Sequence, residues 1–216
     1  GSVINVTGSA NTACVLCFIA PSAQLVASVI INNVNVTISG GSAVSLNAST
    51  EAQFVSVYAK GAATTGAPAI QLRNVTVDIA SGSTIDARAV VFVRVVAART
   101  TAVQGRAAVD MNNVRWTIHG NVTRANASAA SAEVMSVSVA GSTNGVSLSC
   151  HGLHMTISGG AKVNATATSS VVRVASVSLP NSRADVALLN VSFSLRQRSE
   201  LRFWAPLGVV TALCVL

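Results

Sequence analysis

The side chains that could carry out chemistry are few and widely spaced. The chain has seven carboxylates: Glu51, Asp78, Asp86, Asp110, Glu133, Asp185 and Glu200. Cleavage of a glycosidic bond needs two carboxylates that flank it, and elimination at a uronic acid needs carboxylates that hold calcium. No carboxylate pair, phosphate-binding glycine loop or Ser-His-Asp arrangement is visible in the sequence. We therefore expect a protein that is not an enzyme and has no cofactor or metal.

Cys14 and Cys17 form a Cys-x-x-Cys motif, a spacing that zinc sites and redox sites use. No second motif of this kind, and no histidine pair at ligand spacing, accompanies it. The motif lies in an apolar stretch, where a regular strand places residues three apart on opposite faces. The sequence therefore favours packed or free thiols, and a disulfide to Cys150 or Cys214 stays open.

The formal net charge of +7 comes mostly from arginines that are spaced singly, among them Arg73, Arg94, Arg115 and Arg173. There is no basic run with interleaved aromatics and no nucleic-acid-binding motif, so nucleic acid is not an expected partner. Half of the residues are hydrophobic and only 10% are charged, which indicates a folded chain. We expect the arginines to form a solvated surface rather than an anion-binding groove.

One phrase recurs along the chain: NVNVTISGG at 33–41, NVTVDIASG at 74–82, NVRWTIHG at 113–120 and GLHMTISGG at 152–160. Its first position is occupied by Asn33, Asn74, Asn113, Gly152 and Asn190. A fixed period of about 39 residues is typical of a solenoid, propeller or tandem array. The sequence predicts a single segment, 1–216, with a partial repeat at 1–25, repeats at about 26–67, 68–107, 108–145 and 146–184, and a partial repeat at 185–216.

Apolar and polar residues alternate within each phrase, which indicates a strand with one buried face. Stacked in parallel, equivalent strands would lie about 4.8 Å apart and form inward aliphatic columns. One such column would hold Val36, Val77, Trp116, Met155 and Phe193. His154 would point outward, in a column with Asn35, Thr76, Arg115 and Ser192, and we expect it to be a solvated polar residue.

The pattern therefore predicts an all-β fold, a right-handed parallel β-helix. A β-propeller is the alternative, but propeller blades pair antiparallel strands through hairpins, and the hairpin signal Asn-Gly occurs only once, at 144–145. Whether one repeat forms one large rung or two rungs of about 20 residues stays open. Glycine pairs such as Gly40-Gly41 predict tight corners, whereas the last copy has Arg-Gln-Arg-Ser at 196–199 instead.

Eight Asn-x-Ser/Thr sequons suggest a glycoprotein that passes through a secretory pathway. They begin at Asn5, Asn35, Asn47, Asn74, Asn121, Asn126, Asn164 and Asn190. The repeated asparagine at Asn33, Asn74, Asn113 and Asn190 predicts a ladder at a corner, in which buried amides could not carry a glycan. We expect modification rather at Asn5, Asn47, Asn121, Asn126 and Asn164, which fall near turns or exposed segments. The alternative is that Asn, Ser and Thr merely serve as outward polar residues.

The most apolar window, 203–216, is too short and too interrupted by proline to span a bilayer, which takes about 20 apolar residues. We expect the chain to be an excerpt of a longer protein whose membrane anchor lies elsewhere.

The stretches VNVTISGGSAVSLNAS and CVLCFIAPS, with the Ala/Ser/Val-rich repeat, resemble the dispersed-gene-family surface proteins of a trypanosome. The resemblance covers essentially the whole chain. It implies part of a long, glycosylated, membrane-anchored ectodomain with pectin-lyase-like β-helix character. It also implies adhesion to glycans or proteins of host cells or extracellular matrix. No functional residue is carried over, because the family offers no catalytic motif to match.

The expected function is that of a non-enzymatic adhesin or display stalk, secreted or at the cell surface. The alternatives are a polysaccharide-active β-helix enzyme and a binding module for anionic glycans that uses outward arginines such as Arg94 and Arg173.

Overall fold

A computed structural model describes residues 2–8, 12–23, 28–61, 68–80, 82–102, 106–120, 123–140, 145–168, 171–179, 184–205 and 209–215. In these ranges the chain forms eighteen strands, no helix, and three sheets. Every pairing between strands is parallel. The all-β prediction is therefore confirmed, and the fold is a parallel β-solenoid of about four turns with repeats about 39 residues apart.

Each sheet takes one strand from each repeat, except that the last copy contributes two short strands to sheet C. Sheet A contains β1 (Val3–Gly8), β4 (Ala43–Ala48), β7 (Thr84–Ala89), β10 (Arg124–Ala129), β13 (Lys162–Ala167) and β17 (Glu200–Trp204). Sheet B contains β2 (Thr12–Ala23), β5 (Glu51–Gly61), β8 (Phe92–Ala102), β11 (Ser131–Ala140), β14 (Val171–Ser178) and β18 (Val209–Val215). Sheet C contains β3 (Ser28–Ile38), β6 (Ala69–Ile79), β9 (Ala107–His119), β12 (Val146–Ser158) and, from the last copy, β15 (Ala184–Leu189) and β16 (Ser192–Leu195).

One repeat is one rung of three strands. The chain passes through β3, β4 and β5 before β6 stacks on β3. The question of one rung or two is thereby answered in favour of one. The propeller alternative is wrong, because blades would need antiparallel hairpins and the described strands pair only in parallel. At the start of the described residues, β1 stacks on β4 and β2 stacks on β5.

The aliphatic columns are confirmed in register. Val36 pairs with Val77, Val77 with Trp116, Trp116 with Met155, and Met155 with Phe193. Val77, Trp116 and Met155 are buried, while the members at either end of the column are half-buried. Burial of each such side chain contributes about 1.5–3 kcal/mol, so the stacked columns hold the rungs together.

A convex corner interrupts sheet C at the repeated asparagine. Asn33, Asn74, Asn113 and Asn190 have φ between 51° and 57°, and Gly152 has φ 75°. This left-handed conformation is unfavourable for most L-residues but accessible to Asn and Gly, which explains the residue types in this position. Two residues in succession, such as Asn32 and Asn33, point outward there, and the chain turns around the core.

The tight turn after the phrase has the same conformation in glycine and non-glycine copies. Gly40 and Gly41 have φ 66° and 70°, and Gln197 and Arg198 have φ 55° and 57°. The last copy therefore keeps the corner that its sequence did not predict. At Gly159 a side chain would not fit, because an added Cβ would lie 2.9 Å from the backbone nitrogen of Gly120.

Sheet B bends in the opposite sense. Phe54 and Val55 are consecutive and both buried, while Gln53 and Ser56 on the outer side are only 7% and 2% exposed. Val95-Val96 and Val134-Met135 repeat the pattern in the next two rungs. Outward side chains become buried only if the strand folds toward its outer face, so sheet B carries a concave outer surface.

Candidate functional site

The Cys-x-x-Cys motif forms a disulfide between Cys14 and Cys17, whose Cα atoms are 6.2 Å apart. The expectation of packed or free thiols is wrong here, and the open alternative of a bond to Cys150 or Cys214 is not what forms. The reason is the bend of sheet B. Val15 and Leu16 occupy the two consecutive inward positions, so the cysteines on either side both lie on the outer face. Cys150 is a free, buried thiol.

The concave surface of sheet B holds a network of ion pairs around Arg94. This side chain is only 6% exposed and lies 3.3 Å from Glu133 and 3.4 Å from Glu51. Arg173 binds the other oxygen of Glu133 at 2.9 Å, and Ser136 donates a hydrogen bond to Glu133 at 3.0 Å. Two arginines and two glutamates balance in charge. Arg94 and Arg173 were expected to be outward and solvated, but here they are paired.

Glu51 and Glu133 are both bound by the same guanidinium, that of Arg94. A small recess of about 70 Å³ lies beside Glu51 and is lined by Glu51, Gln53, Ser56, Tyr58, Arg94 and Arg99. Gln53 donates a hydrogen bond to Glu51 at 2.7 Å, and Arg99 lies over the ring of Tyr58. Glu51 and Glu133 each have a guanidinium partner within the cluster, so we interpret the cluster as a structural element of the bend.

Four other carboxylates also have basic partners on the surface. Asp78 has His119 Nε2 at 3.1 Å, Asp86 has Arg88 at 3.0 Å, Asp185 has Arg106, and Glu200 has Arg202 and Lys162. The hydrogen bond from Arg202 holds the pKa of Glu200 below its ordinary value. Asp78 pairs with Thr37 on one side and with Thr117 on the other, as the sequence predicted. No second carboxylate therefore stacks beside it.

The outer face of sheet C carries a groove of about 350 Å³, which we call the sheet C groove. It is lined by Arg115, Thr117, His154, Thr156, Ser192, Ser194 and Arg196. Arg115, His154 and Ser192 are neighbours in one outward column, and Thr117, Thr156 and Ser194 are neighbours in the next. The repeat in the sequence predicted that Arg115 and His154 share one column, and the structure confirms it. The repeat did not predict that Arg196, in the irregular last copy, reaches the same groove.

Hydroxyl groups form much of the groove. Thr156 Oγ1 lies 3.1 Å from Ser194 Oγ, and His154 Nδ1 lies 2.7 Å from Ser192 Oγ. Among the described residues, neither Arg115 nor Arg196 has a carboxylate within ion-pair distance. The groove thus combines free positive charge with groups that both donate and accept hydrogen bonds.

The sequon asparagines occupy three different environments. Asn5, Asn35, Asn47 and Asn190 are exposed. Asn74 is exposed as well, but its Nδ2 donates to Asn33 Oδ1 at 2.9 Å and its Oδ1 accepts from Asn113 Nδ2 at 3.0 Å. The expected ladder therefore exists, on the surface rather than buried. Gly152 interrupts it before Asn190.

Asn126 and Asn164 lie in the middle of β10 and β13, half-buried, and not near turns as expected. They form a second stack in sheet A, in which Asn164 Nδ2 donates to Asn126 Oδ1 at 2.9 Å. Asn121 lies outside the described residues. The hydrogen-bonding state of the side-chain amide thus separates sequons that look alike in sequence.

No family model, curated protein or solved structure matches this chain. Within the described ranges, no three residues of the types His, Cys, Asp and Glu lie together as ligands for a metal ion. The same part of the chain has no helix long and apolar enough to cross a membrane.

Proposed function

We propose that this chain is a segment of an elongated, non-enzymatic surface glycoprotein that acts as an adhesin or display stalk. The observation that supports it best is the stacking of one rung per repeat, which gives long side walls built from columns of outward residues. The core fixes the inward columns, whereas outward positions change from rung to rung, as in Asn35, Thr76 and Arg115. Such walls offer extended contact surfaces.

Membership of the dispersed-gene-family surface proteins of a trypanosome is part of the same proposal. Two observations support this membership: the amino-acid sequence of the repeats, and a parallel β-solenoid fold, which the resemblance implies. On this proposal the whole protein is membrane-anchored or secreted, and its partners are glycans or proteins of host cells or extracellular matrix.

Surface display is tested with an antibody raised against this chain, applied to intact and to permeabilised cells of its source. The proposal expects staining of intact cells. Staining that appears only after permeabilisation would contradict it. Beads coated with the folded chain should also attach to mammalian cells more than beads coated with the heat-unfolded chain.

Glycosylation is tested by peptide mapping of the chain secreted from a eukaryotic host. We expect occupancy at the exposed Asn35 and Asn47, whose amide nitrogens donate no hydrogen bond to a described residue. We expect the least at Asn164, because its amide nitrogen is bonded to Asn126. Full occupancy of Asn164 with none at Asn47 would reverse the proposed order.

A polysaccharide-active enzyme is the less favoured alternative. Glu51 and Glu133 are its best placed carboxylates, but Arg94 binds both. Release of reducing ends from polygalacturonate by this chain, lost on Glu133→Gln, would support the enzyme and count against the stalk.

A further inference from the structure

The sheet C groove has the composition of a ligand site rather than of an ordinary solenoid wall. Arg115, Arg196 and His154 bring nitrogen donors from three successive rungs to one concavity. Five other described arginines have a carboxylate partner, namely Arg88, Arg94, Arg106, Arg173 and Arg202, whereas Arg73, Arg99 and Arg198 have none within the described ranges and lie outside this groove. Two arginines that face one groove without an anionic partner among the described residues leave it with a surplus of positive charge.

The hydroxyl column beside these arginines favours a polyhydroxylated ligand. Thr117, Thr156 and Ser194 stand in register at the spacing of the rungs, about 4.8 Å. Hydroxyl groups donate and accept, so they can exchange hydrogen bonds with the hydroxyls of a sugar. The groove's volume of about 350 Å³ lies at the lower end of the usual range for small-molecule sites.

Competing ligand classes fit the groove less well. Its lining contains no Phe, Tyr or Trp side chain on which successive bases could stack, as single-stranded nucleic acid would require. Its single histidine has no second histidine, cysteine or carboxylate in the lining, so a metal ion would lack ligands.

We propose that the sheet C groove binds an acidic saccharide, with Arg115 and Arg196 holding a sulfate or carboxylate group and Thr117, Thr156 and Ser194 contacting sugar hydroxyls. Guanidinium groups suit this role because they form paired, charge-assisted hydrogen bonds with planar and tetrahedral oxyanions. The inference rests on the proposed adhesive function for its biological sense, since it gives the adhesin a ligand class. Its test does not depend on adhesion.

The test is titration of the isotope-labelled chain, followed by NMR, with four probes. These are a sulfated uronate-containing disaccharide, the same disaccharide without sulfate, a neutral disaccharide and sodium sulfate. We expect the sulfated disaccharide to bind most tightly and to shift the amide resonances of β9, β12 and β16. The unsulfated acidic disaccharide should bind more weakly, and the neutral one should not bind. Binding should weaken with added salt, because salt screens the attraction between solvent-exposed charges.

Single variants separate the groove from general charge. Arg115→Gln and Arg196→Gln should each weaken binding at least about fivefold, since each removes a charge-assisted hydrogen bond. The matched control is Arg73→Gln, an exposed arginine of sheet C outside the groove, which should stay within about twofold of the unmodified chain. Circular dichroism should show the same β-sheet content in all variants.

Three results would overturn the proposal. An equal loss for Arg73→Gln and Arg115→Gln would mean non-specific attraction. Equal affinity for sodium sulfate and the sulfated disaccharide would mean that the sugar contributes nothing to binding. Amide resonance shifts confined to sheets A and B would mean that the ligand binds outside the sheet C groove. Attachment of chain-coated beads to cells despite any of these results would leave the adhesive function standing without this groove.

Discussion

At the scale of single residues, the largest departure from sequence-based expectation is the fate of the charged side chains. Arg94 points outward along its strand and yet is buried, because the bend of sheet B closes over it. Its charge is compensated by Glu51 and Glu133, and its guanidinium also lies 4.7 Å from the centre of the Phe92 ring. A buried ion pair adds little net stability, but removing one partner leaves the other charge buried and uncompensated.

Arg94→Ala should therefore destabilise the fold strongly. The change leaves two carboxylates without their common partner, and we expect a loss of about 2–4 kcal/mol in the free energy of unfolding. Arg88→Ala is the control, because that pair with Asp86 is solvent-exposed and worth less than about 1 kcal/mol. Urea denaturation measures both variants. Equal, small effects would mean that the network around Arg94 is not buried.

Cys150 makes a pH-dependent contribution to stability. Burial, together with the negative charge of Asp110, raises the pKa of this thiol from 9.0 to about 12. The raised pKa means that the folded state keeps the proton after the unfolded state has lost it. The contribution is complete below about pH 9 and is lost as the pH rises toward 12.

Urea midpoints measured from pH 8 to pH 10.5 should fall with pH for the unmodified chain. They should fall less steeply for Cys150→Val, which lacks the titrating group. Parallel pH profiles of the two proteins would contradict this assignment.

At the scale of the elements, the corners and bends decide which side chains of a strand point inward and which point outward. Alternation of apolar and polar residues predicted the inward columns of sheet C correctly, because a strand's side chains strictly alternate. The same rule failed at Cys14 and Cys17, where the bend puts two inward residues in succession. Apolar doublets such as Phe54-Val55 and Val95-Val96 at the repeat period were the available signal for that bend.

The asparagine corner supplies a prediction of its own. Asn74 combines a left-handed backbone, φ 51°, with two hydrogen bonds to its ladder neighbours. Asn74→Gly keeps the backbone and loses the bonds, so it should cost about 1–2 kcal/mol. Asn74→Ala adds strain of about 1–2 kcal/mol from the conformation. Thermal or urea unfolding of the two variants separates the two terms, and equal losses would mean that the backbone conformation carries no strain.

Gly152→Asn tests the ladder in the opposite direction. Gly152 occupies the same corner with φ 75°, and an added Cβ would lie no closer than 3.6 Å to the backbone of Asn113. A new amide there can donate to Asn113, so we expect stability equal to or about 0.5–1 kcal/mol above that of the unmodified chain. Gly152→Ala, which has no amide, should be less stable than the unmodified chain. A loss on Gly152→Asn as large as that on Gly152→Ala would exclude the ladder as a source of stability.

At the scale of the whole molecule, the repeat sets the fold and leaves the function to the outer faces. The period predicted stacking, and the register of Val36, Val77 and Trp116 followed from it. The number of strands per rung could not be predicted, because local alternation does not reveal how many corners close one turn. The sheet C groove could not be predicted either. It forms between two columns and an irregular turn that are adjacent only in space.

Each repeat advances the solenoid by one rung, and a distance between two spin labels measures this advance. Labels are attached to Asn35→Cys and Ser192→Cys in a chain whose Cys150 and Cys214 are replaced by alanine. Both positions are exposed and belong to one outward column, four rungs apart. With one rung per repeat, we expect the two backbone positions to lie about 19 Å apart, from four steps of about 4.8 Å. A separation near 38 Å, which two rungs per repeat would produce, or a broad distribution without a defined maximum, would contradict it.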